Sequence, residues 1–110
     1  MRRGEIWTFR DDRYASKARP VLIVQNDTIS LDSVILCLLT SFDRPASPYR
    51  VMVEPDDVNG LFKTSFVMAD KPVTVRRDEL GTRVGSLTDD QMSAVSAALA
   101  LTLAITGPGD

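Results

Sequence analysis

Ser33-Val-Ile-Leu-Cys-Leu-Leu-Thr-Ser41 is the stretch that decides the fold of this 110-residue chain. Read as a strand, it sends successive side chains to opposite faces, and its core, residues 34–39, is apolar on both. Such a strand suits a position between a barrel interior and a covering element. Cys37 lies inside this run and is the only cysteine, so it reads as a buried structural thiol without an internal disulfide partner.

Working outward, residues 5–9 and the β-branched run 20–25 read as two further strands before it. After it come short strands at 50–54, 64–68 and 72–75, punctuated by Pro45, Pro48, Pro55 and Asn59-Gly60. Pro72 has no amide to donate, which sends it to a strand start or an edge. Residues 76–80 read as a helical turn and 82–87 as a last strand. Strands this short and this closely spaced predict a small barrel or a strongly bent sheet.

The C-terminal part has a different period. Thr88 and Gln91 fit a capping box, and Asp89 and Asp90 complement the positive end of a helix dipole. Met92, Val95, Leu99 and Leu103 follow at steps of three and four, and Gly107-Pro108 supplies a stop, which predicts a helix over 89–105. Residues 94–105 carry no charge, so the opposite side, with Ala97, Ala100, Leu101 and Ala104, is expected to meet a second chain or lie under a loop.

With 44% hydrophobic and 25% charged residues the composition is that of an ordinary globular chain, and one domain over 1–110 is expected. No run approaches the roughly 20 apolar residues of a membrane span, and the start, MRRGEIW, has no apolar signal segment, so a cytoplasmic location is expected. Net charge is −2, yet residues 1–19 hold six basic groups against three acidic ones, whereas the remainder holds seven against twelve. The positive field is concentrated where the chain begins.

Which chemistry these residues can perform is narrowed by what is missing. Without histidine a Ser-His-Asp or Cys-His triad is impossible, and neither a phosphate-binding Walker loop nor a dinucleotide fingerprint is present. The adjacent carboxylates Asp11-Asp12, Asp56-Asp57 and Asp78-Glu79 read as solvent-facing loop pairs, so no metal site and no cofactor are expected. What remains are groups that bind and polarise phosphate. Arg19, set directly before Pro20 at the mouth of an apolar strand, can hold a phosphate through two hydrogen bonds, or it can be a strand-edge arginine paired with Asp27 or another carboxylate. Thr40 and Ser41 end the central strand, where their hydroxyls can donate to the same anion or serve a turn. In the loop before Arg19, Arg10, Arg13, Tyr14 and Lys17 suit contact with a nucleic-acid backbone and base stacking.

MRRGEIW at the start, RPVLIVQND over 19–27, LLTS over 38–41, NGLFKTSFVMADKPVTV over 59–75 and LGTRVGSL over 80–87 resemble, in order and spacing, toxins of the MazF/PemK family. The resemblance implies a mainly β fold, an SH3-like small barrel of the CcdB/MazF type with a C-terminal helix, working as a homodimer. It also implies a metal-independent endoribonuclease that cuts single-stranded RNA at short sequences and is held inactive by a cognate antitoxin with an acidic disordered segment. By motif position Arg19 and Thr40 are the implied catalytic pair, with Arg10, Arg13, Tyr14, Lys17 and Ser41 as RNA-binding candidates. The runner-up is a CcdB-like gyrase poison on the same barrel, or a catalytically silent antitoxin-binding homologue. CcdB-like poisons end in a Trp-containing tail, whereas this chain ends ITGPGD and has its one tryptophan at Trp7.

Overall fold

The computed structural model describes residues 1–10, 18–42 and 47–106. Strands β1 (Glu5–Phe9), β2 (Arg19–Ile23), β3 (Ser33–Thr40), β4 (Arg50–Val53), β5 (Ser65–Arg76) and β6 (Leu80–Ser86) precede one helix, α1 (Asp89–Leu103). The strands pair antiparallel in the order β4-β5-β3-β2-β1-β6. β3 lies inside the sheet, between β2 and β5.

Those faces feed two separate cores. Val34 and Leu36 join Phe9, Val21 and Ile23, whereas Cys37 and Leu39 join Ile6, Leu22, Val53, Val67 and Val95. Ile6 and Val53 come from strands four places apart in the sheet order yet share one cluster, so the sheet is rolled around it. A hydrogen bond from the Ser86 amide to the Val58 carbonyl (3.1 Å) ties β6 to the loop after β4 and holds the roll. Ile6, Leu22, Leu36 and Val67 are fully buried, each worth about 1.5–3 kcal/mol. That burial, rather than local propensity, dominates the stability of the fold.

Residues 64–68 and 72–75 prove to be one strand, β5, of 12 residues. Between them the pairing with β3 shifts register, from Leu39 opposite Val67 to Cys37 opposite Pro72. The shift absorbs the missing proline amide as a bulge. The polar segment between the two halves is kept in the sheet by Arg50 of β4, whose Nε and Nη2 donate to the two carboxylate oxygens of Asp70 at 3.2 and 3.3 Å. A bidentate pair of this kind holds a strand where composition alone suggests a break.

α1 begins as its sequence requires. Thr88 Oγ1 accepts from the Gln91 amide at 3.1 Å, and Gln91 Oε1 accepts from the Thr88 amide at 2.8 Å. Its end differs from expectation. The helix closes at Leu103, and Ala104 adopts a left-handed conformation (φ 55°, ψ 41°) with the Ile105 amide bonded back to the Ala100 carbonyl. Gly107 and Pro108 lie outside the described residues. The buried seam is Val95 and Ala98, flanked by half-buried Met92 and Leu99. Leu103, expected on this seam, is 56% exposed because half-buried Thr102 takes the next seam position. No helix among the described residues is long and apolar enough to cross a membrane.

At the N-terminus Glu5 gathers donors: the Arg2 amide (2.7 Å), the Trp7 indole (3.1 Å) and the Arg83 guanidinium (2.9 Å). Burial raises its carboxyl, but these hydrogen bonds and the chain's terminal ammonium outweigh burial and hold it below the usual range. A carboxylate whose folded pKa is depressed stabilises the fold above its unfolded value, about 4.3. That contribution disappears as pH falls through the folded value. Urea titrations are therefore expected to show the wild-type protein losing more stability between about pH 5 and about pH 3 than a Glu5→Gln variant does. Parallel pH profiles would contradict this assignment.

Candidate functional site

β2 and β3 run antiparallel with Val21 opposite Leu38, Leu22 opposite Cys37 and Ile23 opposite Leu36. Carried two residues further, this register sets Arg19 level with Thr40. Directly opposed residues project to the same side of a sheet with their backbones about 5 Å apart. Buried Val21, Leu22 and Ile23 anchor the strand behind them, which leaves Arg19 exposed at the rim. Arg19, Thr40 and Ser41 line one groove of about 660 Å³, whose facing wall is formed by Gly60, Leu61, Phe62 and Lys63.

The neighbours of these residues bear on two questions left open by the sequence. Asp27 does not pair with Arg19, because its Oδ1 accepts from the Arg3 amide at 2.7 Å. Among the described residues, the ion pairs involve the Met1 ammonium, Glu5, Arg50, Asp70, Arg76, Asp78 and Arg83, and none involves Arg19. At Thr40 the turn contact is present. Its Oγ1 accepts from the Phe42 amide at 3.1 Å, a turn contact, and this leaves the hydroxyl hydrogen to donate into the groove.

The remaining candidates divide. Ser41 is exposed in the groove beside Thr40. Arg10 is exposed just after β1, next to Phe9, which is the register partner of Arg19, and it stands outside the groove wall. Arg13, Tyr14 and Lys17 lie outside the described residues. Arg3, part of the same basic segment, has a structural role: its guanidinium binds the Val24 carbonyl and the Ser96 hydroxyl and so fastens the N-terminus to α1.

Asp56, Asp78 and Glu79, three members of the adjacent carboxylate pairs, are engaged in local structure. Asp56 Oδ1 accepts from the Val58 and Asn59 amides at 2.8 and 2.7 Å, Asp78 pairs with Arg76, and Glu79 accepts from the Arg76 amide at 3.1 Å. Asp11 and Asp12 lie outside the described residues. Among the described residues no three His, Cys, Asp or Glu side chains come together as a metal-binding group.

The facing wall was not legible as part of a site. Asn59 is 1% exposed. Its Oδ1 accepts from the Asp56 and Leu61 amides, both at 3.0 Å, while its Nδ2 donates to the Glu54 carbonyl at 2.8 Å. Gly60 has φ +69°, and a Cβ there would stand 2.5 Å from the Val84 carbonyl oxygen. The wall backbone thus rests directly on β6, a contact only glycine permits. The Asn59-Gly60 pair announces a turn in the sequence. Only the rolling of the sheet brings the residues after it, Phe62 and Lys63, across from Arg19. The result is a groove with two cations and four hydroxyl side chains among its lining, a set suited to holding an anion by charge-assisted hydrogen bonds.

The chain is similar to known proteins over nearly its whole length. The model of the family described as PemK-like, MazF-like toxin of type II toxin-antitoxin system matches residues 2–103. The chain is 39% identical over 109 residues to the probable endoribonuclease MazF of Mycolicibacterium smegmatis, covering 97% of this chain and 100% of that protein. Among solved structures, an endoribonuclease in complex with its cognate antitoxin from a mycobacterial species superposes with a TM-score of 0.81 at 31% identity, covering 98% of this chain and 99% of that one. The Mycobacterium tuberculosis toxin MazF-mt6 superposes with a TM-score of 0.79 at 30% identity, covering 94% and 99%.

Proposed function

Because this chain belongs to the PemK-like, MazF-like toxins of type II toxin-antitoxin systems, we propose that its groove is the active site of an endoribonuclease that cuts single-stranded RNA at short sequences without a metal ion. The observation that carries this reading is that Arg19 and Thr40, at the ends of adjoining strands, line one groove, with no ion pair to Arg19 among the described residues.

In this reading the nucleophile comes from the substrate. The 2′-oxygen of the RNA attacks the adjacent phosphorus, the bond to the 5′-oxygen breaks, and the products are a 2′,3′-cyclic phosphate and a 5′-hydroxyl. The 2′-oxygen loses a proton and the departing 5′-oxygen gains one. Negative charge grows on the non-bridging oxygens during the step. The planar Arg19 guanidinium meets that charge with two parallel donors, and Thr40 adds a third. Holding the phosphate in line with the 2′-oxygen supplies the rest.

Around this centre, Ser41 and the segment with Arg10, Arg13, Tyr14 and Lys17 hold the RNA backbone and stack on bases. The exposed apolar side chains Leu101, Leu103 and Ile105 of the helix end support a homodimer of this single 1–110 unit. The cognate antitoxin is a partner expected of this family, and an acidic, disordered antitoxin segment would present carboxylates to the cations of the groove and so compete with RNA. An RNA substrate is consistent with action in the cytoplasm. A gyrase-poisoning reading is not favoured: Trp7 lies in β1 with its indole donated to Glu5 rather than in a tail.

The test is a pair of oligonucleotides that differ by one oxygen. In EDTA, single-stranded RNA is expected to be cut, and replacing the 2′-hydroxyl at the cut by hydrogen is expected to abolish cutting there. Cleavage that appears only when magnesium is added, or that ignores the deoxy substitution, would refute the proposed chemistry.

A further inference from the structure

We infer that Phe62 is a base-stacking platform, which takes the face of one nucleobase beside the phosphate held by Arg19 and Thr40. The inference rests on the ribonuclease reading of the groove and adds a subsite to it. Phe62 is 100% exposed, whereas Phe9 is 8% exposed and Phe66 is half-buried. A phenylalanine left wholly in water contributes nothing to the core, so the fold gives no reason for an aromatic at this position.

The segment that carries the ring is held on both sides. Before it, Asn59 is buried and bonded to Glu54, Asp56 and Leu61, and Leu61 packs against the main core. After it, the Ser65 hydroxyl donates to the Lys63 carbonyl at 3.0 Å, and the Thr64 hydroxyl donates to Glu54 Oε2 at 3.0 Å. A ring fixed at its base and open to solvent needs little ordering when a ligand arrives.

Its surroundings select the ligand. Phe62 shares the groove with Lys63, Arg19, Thr40 and Ser41, so one flat apolar face stands among cations and hydroxyl donors. A single nucleic-acid strand offers that combination, flat bases spaced between phosphates. An acidic peptide would satisfy Arg19 and Lys63 but has no general use for the ring face. Phe62 therefore takes the base and Lys63 the neighbouring phosphate.

Single-stranded RNA with a 2′-deoxy nucleotide at the mapped cut, and 2-aminopurine placed in turn on either side of it, tests the assignment. Wild-type protein and Phe62→Trp are expected to quench the 2-aminopurine at one of the two positions. Phe62→Leu is expected to lose the quench and bind about 10-fold to 100-fold more weakly. Because the side chain is fully exposed, thermal unfolding of the variants should coincide with wild type. The inference is overturned if Phe62→Leu quenches and binds as wild type does. If Arg19→Ala stops cutting while Phe62→Leu leaves RNA binding intact, the ribonuclease reading stands and this subsite falls. If Phe62→Leu weakens only antitoxin binding, the ring belongs to the partner surface and the inference is again overturned. Wild-type protein that neither binds nor cuts RNA would remove both.

Discussion

Replacing Arg19 by alanine is expected to lower RNA cleavage by roughly 10²-fold or more, the usual consequence of removing one preorganised transition-state donor. That factor corresponds to about 2.7 kcal/mol of lost transition-state stabilisation. The fold should be unaffected. Arg19 is exposed at the start of β2, its strand is anchored by buried Val21 to Ile23, and no ion pair to it is formed among the described residues. Arg19→Lys keeps the charge but not the planar two-donor geometry and should recover only part of the rate. Thr40→Val removes one neutral donor and should cost less than Arg19→Ala. Single-turnover cleavage, measured beside thermal unfolding of each variant, separates a chemical defect from a folding one.

The second large effect is expected at a residue that never touches substrate. Asn59→Ala should destabilise the protein by about 2–4 kcal/mol, because leaving buried donors and acceptors unpaired costs about 1–3 kcal/mol for each group. The groups concerned are the Glu54 carbonyl and the Asp56 and Leu61 amides, which Asn59 satisfies from a position 1% exposed. Asn59→Asp keeps the acceptor and loses the donor to Glu54. It should fall between alanine and wild type in urea unfolding. If alanine at this position left the unfolding midpoint unchanged, the facing wall of the groove would owe its shape to something other than this side chain.

Much of the fold was legible because local and tertiary preferences agree. The two-faced run of β3 does lie between two cores, and Thr88 and Gln91 do close a capping box. The family resemblance, carried by motifs spread along the chain, anticipated the mainly β fold with its C-terminal helix. The misreadings share one physical origin, contacts made between distant segments. Two short strands became one because Arg50 reaches Asp70 across the sheet. Leu103 left the helix seam because the buried line set by Val95 and Ala98 continues at Thr102.

The groove divides along the same line. Arg19 and Thr40 were recognisable at strand ends, since an exposed arginine before an apolar strand and a hydroxyl closing its neighbour are local patterns. Phe62 and Lys63 were not, because nothing between Asn59 and Ser65 reveals that the sheet rolls far enough to set them opposite Arg19. Their placement depends on Gly60 and Gly85, whose bare backbones let the loop lie on β6.

The central claim is that this groove orients RNA for attack by its own 2′-oxygen, and the chemistry of the cut ends tests it most directly. After incubation of the purified protein with a long single-stranded RNA in EDTA, the upstream fragments are expected to end in a 2′,3′-cyclic phosphate. The downstream fragments should start with a 5′-hydroxyl that a kinase can label without prior dephosphorylation. Fragments carrying a 5′-phosphate and a 3′-hydroxyl would mean that water or another external nucleophile attacks the phosphorus, and would contradict the account.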